Sequence, residues 1–494
     1  MRKGNRRYVV FPFLLLFVFG LAAFAVVSED MRDDKNGNTY YVAINGSDEA
    51  EGTMDDPWAS VERALSETGP GDAVLLRGGV YKINRAVQLG EAQGTENGWI
   101  TVRSYPGERA VFDAEDFKKT DEGLTPHQAG LGTIDISGAQ YLRVKNIDVR
   151  NSFGEGFRIS RGSRFIELIG CSSDRSFKSG IAAWGIGHGG AENIRILHSE
   201  VTGANDLNMA LPADGGPGAR GEAPHEGISI AGVHHFEVAY NRVHRSHKEG
   251  IDIKERSAHG VVHNNETHDL PRQGIYLDAW FGMLEDVEVH SNRSYNNEWG
   301  ITLSAEDDGA EMRNIRVHSN FVYNNRASGI MFGLFGHDEP RSDIKIYNNT
   351  VVDNGSLSHW HGSTGGIDLR SANVRDVYVV NNLVVNNTGF EIASFAADDE
   401  RDRAFSERNI VVRNNMTSPF HNSVEEMHEG WGQAFPFRGE DTIESENIQF
   451  VFPNAADFRL RPGSDAINAA IEIDGGMLAH PHIGAGTVMP VYND

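Results

Sequence analysis

The sequence predicts an all-β fold: a right-handed parallel β-helix, a single-stranded solenoid closed by an N-terminal helix/strand cap and a C-terminal cap. Three observations lead there. Strand patterns led by glycine recur at Gly156 (GFRIS), Gly180 (GIAAW), Gly227 (GISIA), Gly250 (GIDIK), Gly274 (GIYLD), Gly300 (GITLS), Gly329 (GIMFG), Gly366 (GIDLR) and Gly389 (GFEIA). The steps are 24, 47, 23, 24, 26, 29, 37 and 23 residues. A separate comb of asparagines, Asn241, Asn265, Asn292, Asn320, Asn349, Asn382 and Asn415, runs in phase with them, each after a strand-like run such as VEVHSN or VYVVNN. No helical period lies between the combs. Rungs of short strands stacked at about 4.8 Å satisfy both, with the asparagine amides stacked inside one turn.

Taken in order, the chain begins with a basic head (Arg2, Lys3, Arg6, Arg7) and an apolar run from Tyr8 to Val27. Residues 1–25 read as a signal peptide cut near Ala23-Phe-Ala25, or as a retained membrane anchor. No other stretch could cross a bilayer, so the rest is expected to be secreted or periplasmic. Residues 26–38 read as a flexible leader, and 39–125 as the N-terminal cap and first rungs. Strands are expected at Thr39–Ala43, Ala73–Leu76 and Ile100–Tyr105. A helix is expected from Pro57 to Glu67, with Asp56 as N-cap and Trp58, Val61, Ala64 and Leu65 as its apolar stripe. The coil occupies 126–425. Inserts at about 203–226, 333–343, 354–365 and 394–409 break the period, and a solenoid carries such inserts on a binding face. Residues 426–494 are expected to close the open end.

Composition narrows the function. A net charge of −25 argues against nucleic acid or anionic lipid as partners. Cys171 is the single cysteine, so no internal disulfide forms, and its place near the asparagine comb marks it as buried. The 20 histidines fall mostly in turn segments without metalloprotease spacing, and His359 and His361 read as rim residues of a loop. The Asn-x-Ser/Thr triplets at Asn265 and Asn292 come from the ladder itself.

Stacking the rungs on their glycines gives two outward columns. The first reads Arg158, Ala182, Ser229, Asp252, Tyr276, Thr302, Met331, Asp368, Glu391. The second reads Ser160, Trp184, Ala231, Lys254, Asp278, Ser304, Gly333, Arg370, Ala393. Two places before the glycine stand His225, Lys248, Arg272 and Glu298, and six places after it Arg256, Trp280 and Glu306. Charged and aromatic side chains converge on the rungs led by Gly250, Gly274 and Gly300. Lys254 and Asp278 are expected as rung neighbours, with Asp252 and Asp278 diagonal at roughly 8 Å. Taken alone, Lys254–Asp278 reads equally well as a surface ion pair worth under about 1 kcal/mol.

The patch suits a polysaccharide. Trp280 offers a face for a sugar. Lys248 and Arg272 could hold a uronate carboxylate, and Tyr276, Glu306 and His225 complete the binding set. Two reactions fit. In β-elimination, neutral Lys254 takes the proton beside the carboxylate while Arg272 or a calcium ion stabilises the enolate. In inverting hydrolysis, Asp252 and Asp278 are acid and base. A third reading is a non-catalytic carbohydrate-binding or surface solenoid.

The stretch Tyr40–Tyr81 resembles the opening of β-helix proteins related to family 9 polysaccharide lyases, through Tyr41-Val42, Asn45-Gly-Ser-Asp48, Gly52-Thr53, Pro57-Trp58, Pro70-Gly-Asp72 and Leu76-Arg-Gly-Gly-Val-Tyr81. The repeats and the closing His482-Ile-Gly-Ala485 are similar to the wider pectin-lyase-like group. The resemblance implies a carbohydrate-active protein, since that group includes lyases, hydrolases and epimerases acting on uronate-rich or neutral glycans, with a lysine base for which Lys254 is the match and a calcium ion with Asp252 and Asp278 as candidate ligands. The chain is expected to act as a monomer on an acidic polysaccharide. No tight set of aspartates stands beside those two.

Overall fold

The structure, a computed structural model, describes residues 37–187, 189–217, 224–356, 364–421, 434–472 and 480–485. Residues 1–25, most of the leader, His359 and His361 lie outside the described residues.

Three long parallel sheets run the length of the coil. The first goes from Thr39–Val42 to Ile410–Arg413, and the second from Gly79–Lys82 to Ile443–Glu444. The third, which carries the glycine-led strands, goes from Val87–Gln88 to Ile392–Ser394, where Phe435–Pro436 adds an antiparallel end strand. The fold is the expected right-handed parallel β-helix, and it begins at Thr39, so the N-terminal block is already coil.

Five strands of the third sheet position the site: β1 (Ile228–Ala231), β2 (Ile251–Lys254), β3 (Gln273–Ala279), β4 (Trp299–Ala305) and β5 (Ile330–Phe332). Their register is the one the glycine comb predicts, Ser229–Asp252–Tyr276–Thr302–Met331 in one column and Lys254–Asp278–Ser304 in the next. Ile251, Ile253, Ile275, Leu277, Ile301 and Leu303 fill the interior. Each glycine marks a tight corner. A Cβ on Gly250 would lie 2.5 Å from the Gly274 carbonyl, and one on Gly300 would lie 2.3 Å from both the Gly329 carbonyl and Val322 Cγ1. No side chain fits there.

Two register expectations resolve in the structure. The 47-residue step is one turn with an insert, because Ile181–Trp184 pairs directly with β1. At the last rung the glycine alignment slips: Asp368 faces Ala393, so Glu391 leaves the outward column. Gly389 itself sits at φ 79° in a turn rather than at the corner position.

The asparagine comb is a ladder. From Asn241 to Asn415 each Nδ2 donates to the next Oδ1 at 2.9–3.0 Å, and each backbone N–H donates to the same oxygen. Each amide also donates to an interior carbonyl, as Asn292 does to Val262 at 2.9 Å, so buried polar groups are satisfied. Cys171 and Ser199 take the asparagine place in the early rungs. Cys171 N–H donates to Ser199 Oγ at 3.2 Å, and Ser199 N–H to Asn241 Oδ1 at 2.9 Å. Burial pushes the Cys171 thiol up to about 12, so it is inert. A second ladder, Asn297, Asn325, Asn354 and Asn387, went unread, although each member follows a first-ladder asparagine by five residues. Glu391 Oε2 ends it, accepting from Asn387 Nδ2 at 2.6 Å.

Several histidines are strand residues in stacks rather than turn residues, while others, such as His198, His225, His247 and His337, lie in turns as expected. His263, His290, His318 and Tyr347 form one outward column at 4.7–5.1 Å between rings, and His244, His268, Tyr295 and Tyr323 another at 4.8–4.9 Å.

Both caps differ in detail from expectation. The N-terminal helix is only Val61–Leu65, with Ser60 as its N-cap, because Trp58 bridges to Val42 and is held outside it. The closing segment adds Phe435–Pro436 and Ile443–Glu444 to the ends of two sheets and then runs back along the flank. Its hairpin, Phe450–Phe452 with Asp457–Leu460, contributes Phe458 and Leu460 to a cluster with Tyr323, Val352, Leu383, Val385 and Met416 on the outer face of the second sheet. The 394–409 insert is a helix, Asp398–Arg408, whose Phe405 packs on Phe437 beside the last rungs.

Replacing Asn292 by Ala leaves the Asn265 donors and the Val262 carbonyl buried without partners. We expect a loss of about 3 kcal/mol of unfolding free energy, measured by urea denaturation.

Candidate functional site

The outward side chains of β2 and β3 meet as the register demands. Lys254 Nζ lies 2.7 Å from Asp278 Oδ2, 3.4 Å from Asp252 Oδ2 and 3.4 Å from Glu226 Oε1. Asp252, Lys254 and Asp278 are only 1, 6 and 5% exposed, so the pair is not a surface ion pair. Neighbouring groups bury them. Lys248 approaches Glu226 at 3.9 Å and Glu249 at 3.6 Å, and Arg272 Nη1 meets Glu249 Oε1 at 2.9 Å. On the far side Tyr276 Oη donates to the Glu306 carboxylate. The 333–343 insert folds over this pair: Phe335 packs 6.1 Å from the Tyr276 ring, and His337 N–H donates to the Glu306 carbonyl at 2.6 Å. The 203–226 insert ends at His225, whose ring meets Trp184 edge-on at 4.5 Å.

The sequence missed Glu226, Glu249 and Glu255. The first two stand immediately before Gly227 and Gly250, at the corner, where strand alternation no longer tells which way a side chain points. The signal was available, since Glu155 precedes Gly156 in the same way and is likewise buried, paired with Lys178 at 2.6 Å and Arg158 at 2.9 Å.

Carboxyls outnumber cations here, and protonation divides them. Burial raises Asp252 well above the usual range against the pull of Lys254, with Glu226 and Asp278 adding repulsion. Burial also raises Asp278, again opposed by Lys254. Glu306 is pushed to about 7 by burial and by Asp278, and Glu255 to about 7 chiefly by burial. Glu226 goes the other way, to about 2, because Lys254 and Lys248 overcome its burial. Burial raises the Tyr276 phenol, and Asp278 and Glu306 raise it further. His225 falls to about 4 through burial and Lys178, which leaves it neutral.

Several expected roles change. Burial opposes the Lys254 charge, but Asp252, Glu226 and Asp278 outweigh it and hold the amine well above its ordinary pKa. Lys254 is an ammonium and not the neutral base. Lys248 and Arg272 already face carboxylates. The oxygens of Asp252 and Asp278 that touch Lys254 are drawn together on one nitrogen, closer than the ~6.5–9.5 Å that an inverting pair needs to admit water. Asp252 and Asp278 do not fit a calcium ion in this arrangement, since the ammonium stands where the metal charge would. Among the described residues no group of three or more His, Cys, Asp and Glu is arranged to hold a metal. Trp280 is 52% exposed and its carbonyl accepts from Asp307 N–H at 2.9 Å, so it stands open beside the Glu306 turn.

Residues 40–215 match a family described as Pel9A-like, right handed beta helix region. Residues 132–317 match the right handed beta helix region family, and 312–466 a family described as disaggregatase related. Among curated relatives, the uncharacterized protein YwoF of Bacillus subtilis is 27% identical over 69% of this chain and 74% of its own length. Pectate lyase PEL9 of Emericella nidulans is 25% identical over 43% of this chain, and the chain spans about half (48%) of that relative. Among solved structures, pectate lyase Pel9A covers 92% of this chain and 96% of its own, at 14% identity and a TM-score of 0.46.

Two outcomes follow from the buried charge. Lys254→Ala strands three carboxylates, so the variant is expected to lose about 3–5 kcal/mol in chemical denaturation rather than fold normally. Glu306 has a folded pKa of about 7, raised above its ordinary 4.5, so its own contribution to stability is lost as pH rises from about 4.5 to 7. Glu306→Gln should gain relative to wild type across that window and hold the gain above it, as read by melting temperature against pH.

Proposed function

We propose that this chain, a pectin-lyase-like right-handed parallel β-helix, is an exported, monomeric carbohydrate-active enzyme that cleaves a uronate-containing polysaccharide at the β2–β3–β4 face. The observation that carries the reading is the division of protons in one buried outward cluster: an ammonium at Lys254, an ionised carboxylate at Glu226, and a carboxyl near neutrality at Glu306. Groups pushed apart in pKa within one cluster are what acid–base cleavage needs. The pectate lyase relative supports elimination as the reaction.

In this scheme Asp278 takes the proton beside the uronate carboxylate. Its raised pKa makes it a stronger base than an ordinary aspartate, and Asp252 holds the cluster's shared proton. The electrons released form the new carbon–carbon double bond and expel the glycosidic oxygen. Glu306, seated by Tyr276, gives that oxygen its proton. Lys254 stays charged and offsets the negative charge that develops on the substrate. Hydrolysis is the second reading, favoured by one feature: Glu306 at about 7 is the raised acid that a glycoside hydrolase also requires. No step runs through calcium.

The protein incubated with polygalacturonate, alginate and neutral glycans should release products with unsaturated ends, lighter by one water than hydrolytic ones. Products without that double bond would establish hydrolysis instead, and no product from any glycan would favour a binding protein. Asp278→Asn is expected to lower the initial rate by about 10²-fold or more. Glu306→Gln is expected to remove the alkaline limb of the rate profile.

A further inference from the structure

We propose that Arg256, seated on Phe281 beside Trp280, forms a separate subsite for an acidic sugar at the edge of the cluster. The inference rests on the reading of the cluster as a site for an acidic polysaccharide, and it says which cation reads the acid. The cations within the cluster are committed: Lys254 to Asp252, Asp278 and Glu226, Lys248 to Glu226 and Glu249, Arg272 to Glu249. Arg256, two residues beyond Lys254, is exposed, and among the described residues no carboxylate stands within ion-pair distance of it.

Its position is built. Arg256 adopts φ 58°, a left-handed turn that carries the chain out of β2. Its guanidinium lies 5.1 Å from the centre of the Phe281 ring, and Phe281 lies 6.2 Å from the half-exposed Trp280. The Arg256 side chain passes so close to Gly282 that a Cβ there would come 3.0 Å from Nε. Arg256 borders a cleft of about 250 Å³ lined also by Arg164, Glu192, His234, Gly187, Gly190 and Gly232. Arg164 is paired with Glu192 at 3.1 Å, which leaves Arg256 as the uncompensated charge of the cleft. Glycine walls let a ligand approach the backbone, the planar fork matches a carboxylate, and the indole offers a face to the neighbouring sugar. In a chain of net charge −25 an open cation also draws an acidic polymer that the rest of the surface repels.

Binding decides the matter without reference to turnover. A uronate oligomer and its carboxyl-reduced counterpart would be titrated calorimetrically against wild type, Arg256→Asn and Trp280→Ala, with melting curves to check folding. Asparagine tolerates the left-handed backbone at this position. Arg256→Asn is expected to weaken the uronate oligomer about tenfold at low salt, with a flatter salt dependence, and to leave the reduced oligomer within about twofold. Trp280→Ala should weaken both alike. Equal binding of the uronate oligomer by wild type and Arg256→Asn, or equal loss for both oligomers, overturns the inference and leaves the proposed cleavage standing. Failure of wild type to bind either oligomer removes both.

Discussion

The structure depends on a corner too tight for a side chain. Where the strands led by Gly156 to Gly366 enter the third sheet, a Cβ on the glycine would come within 3 Å of the backbone or packed side chains of a neighbouring rung, and only glycine leaves room. That constraint fixes where every strand starts. Because strand side chains alternate, fixing the start also fixes which residues face out and which partners they meet on the next rung. A slip of one residue would exchange Asp252 and Lys254 for Ile251 and Ile253. The contact between Lys254 and Asp278 is therefore a consequence of steric exclusion several ångströms away.

The charge cluster is costly, and its neighbours make it tolerable. Burying acids and bases on the outside of a sheet is unfavourable unless each finds a partner or a proton. Lys254 serves Asp252, Asp278 and Glu226, Glu226 takes the full benefit of two lysines, and burial raises Asp252, Asp278, Glu255 and Glu306 toward their protonated forms. The two asparagine ladders supply the rigidity for this. Each amide is bonded above and below, so the rungs that carry the cluster cannot shear past one another without breaking several buried hydrogen bonds at once.

Much of this was legible in the sequence. The glycine and asparagine combs gave the coil, its sheets and the partners of Lys254, since both arise from repeated local geometry. The last rung misled because Gly389 is a turn glycine of the same spelling, and the second ladder was hidden by adjacent asparagines such as Asn324-Asn325 and Asn386-Asn387. The site's covering acids were harder to find, because Glu226 and Glu249 lie at the corner outside the strand alternation. The protonation of Lys254 could not be read from spacing at all. It depends on three carboxylates: Asp252 on its own strand, Asp278 on the next rung and Glu226 at the corner of the preceding one.

The last stretch of chain runs back along the flank of the second sheet. Arg293 donates to the Ala456 carbonyl, Asn348 to that of His482, Asn381 to that of Ile471 and Asn414 to that of Ala469, at 2.7–3.0 Å. Those four anchors belong to different storeys of the stack. A solenoid with nearest-neighbour contacts alone can fray storey by storey from its open end. This one is laced: its lower storeys must come undone together, so the end of the coil behaves as a single cooperative block and the face above it keeps its shape until that lacing is released.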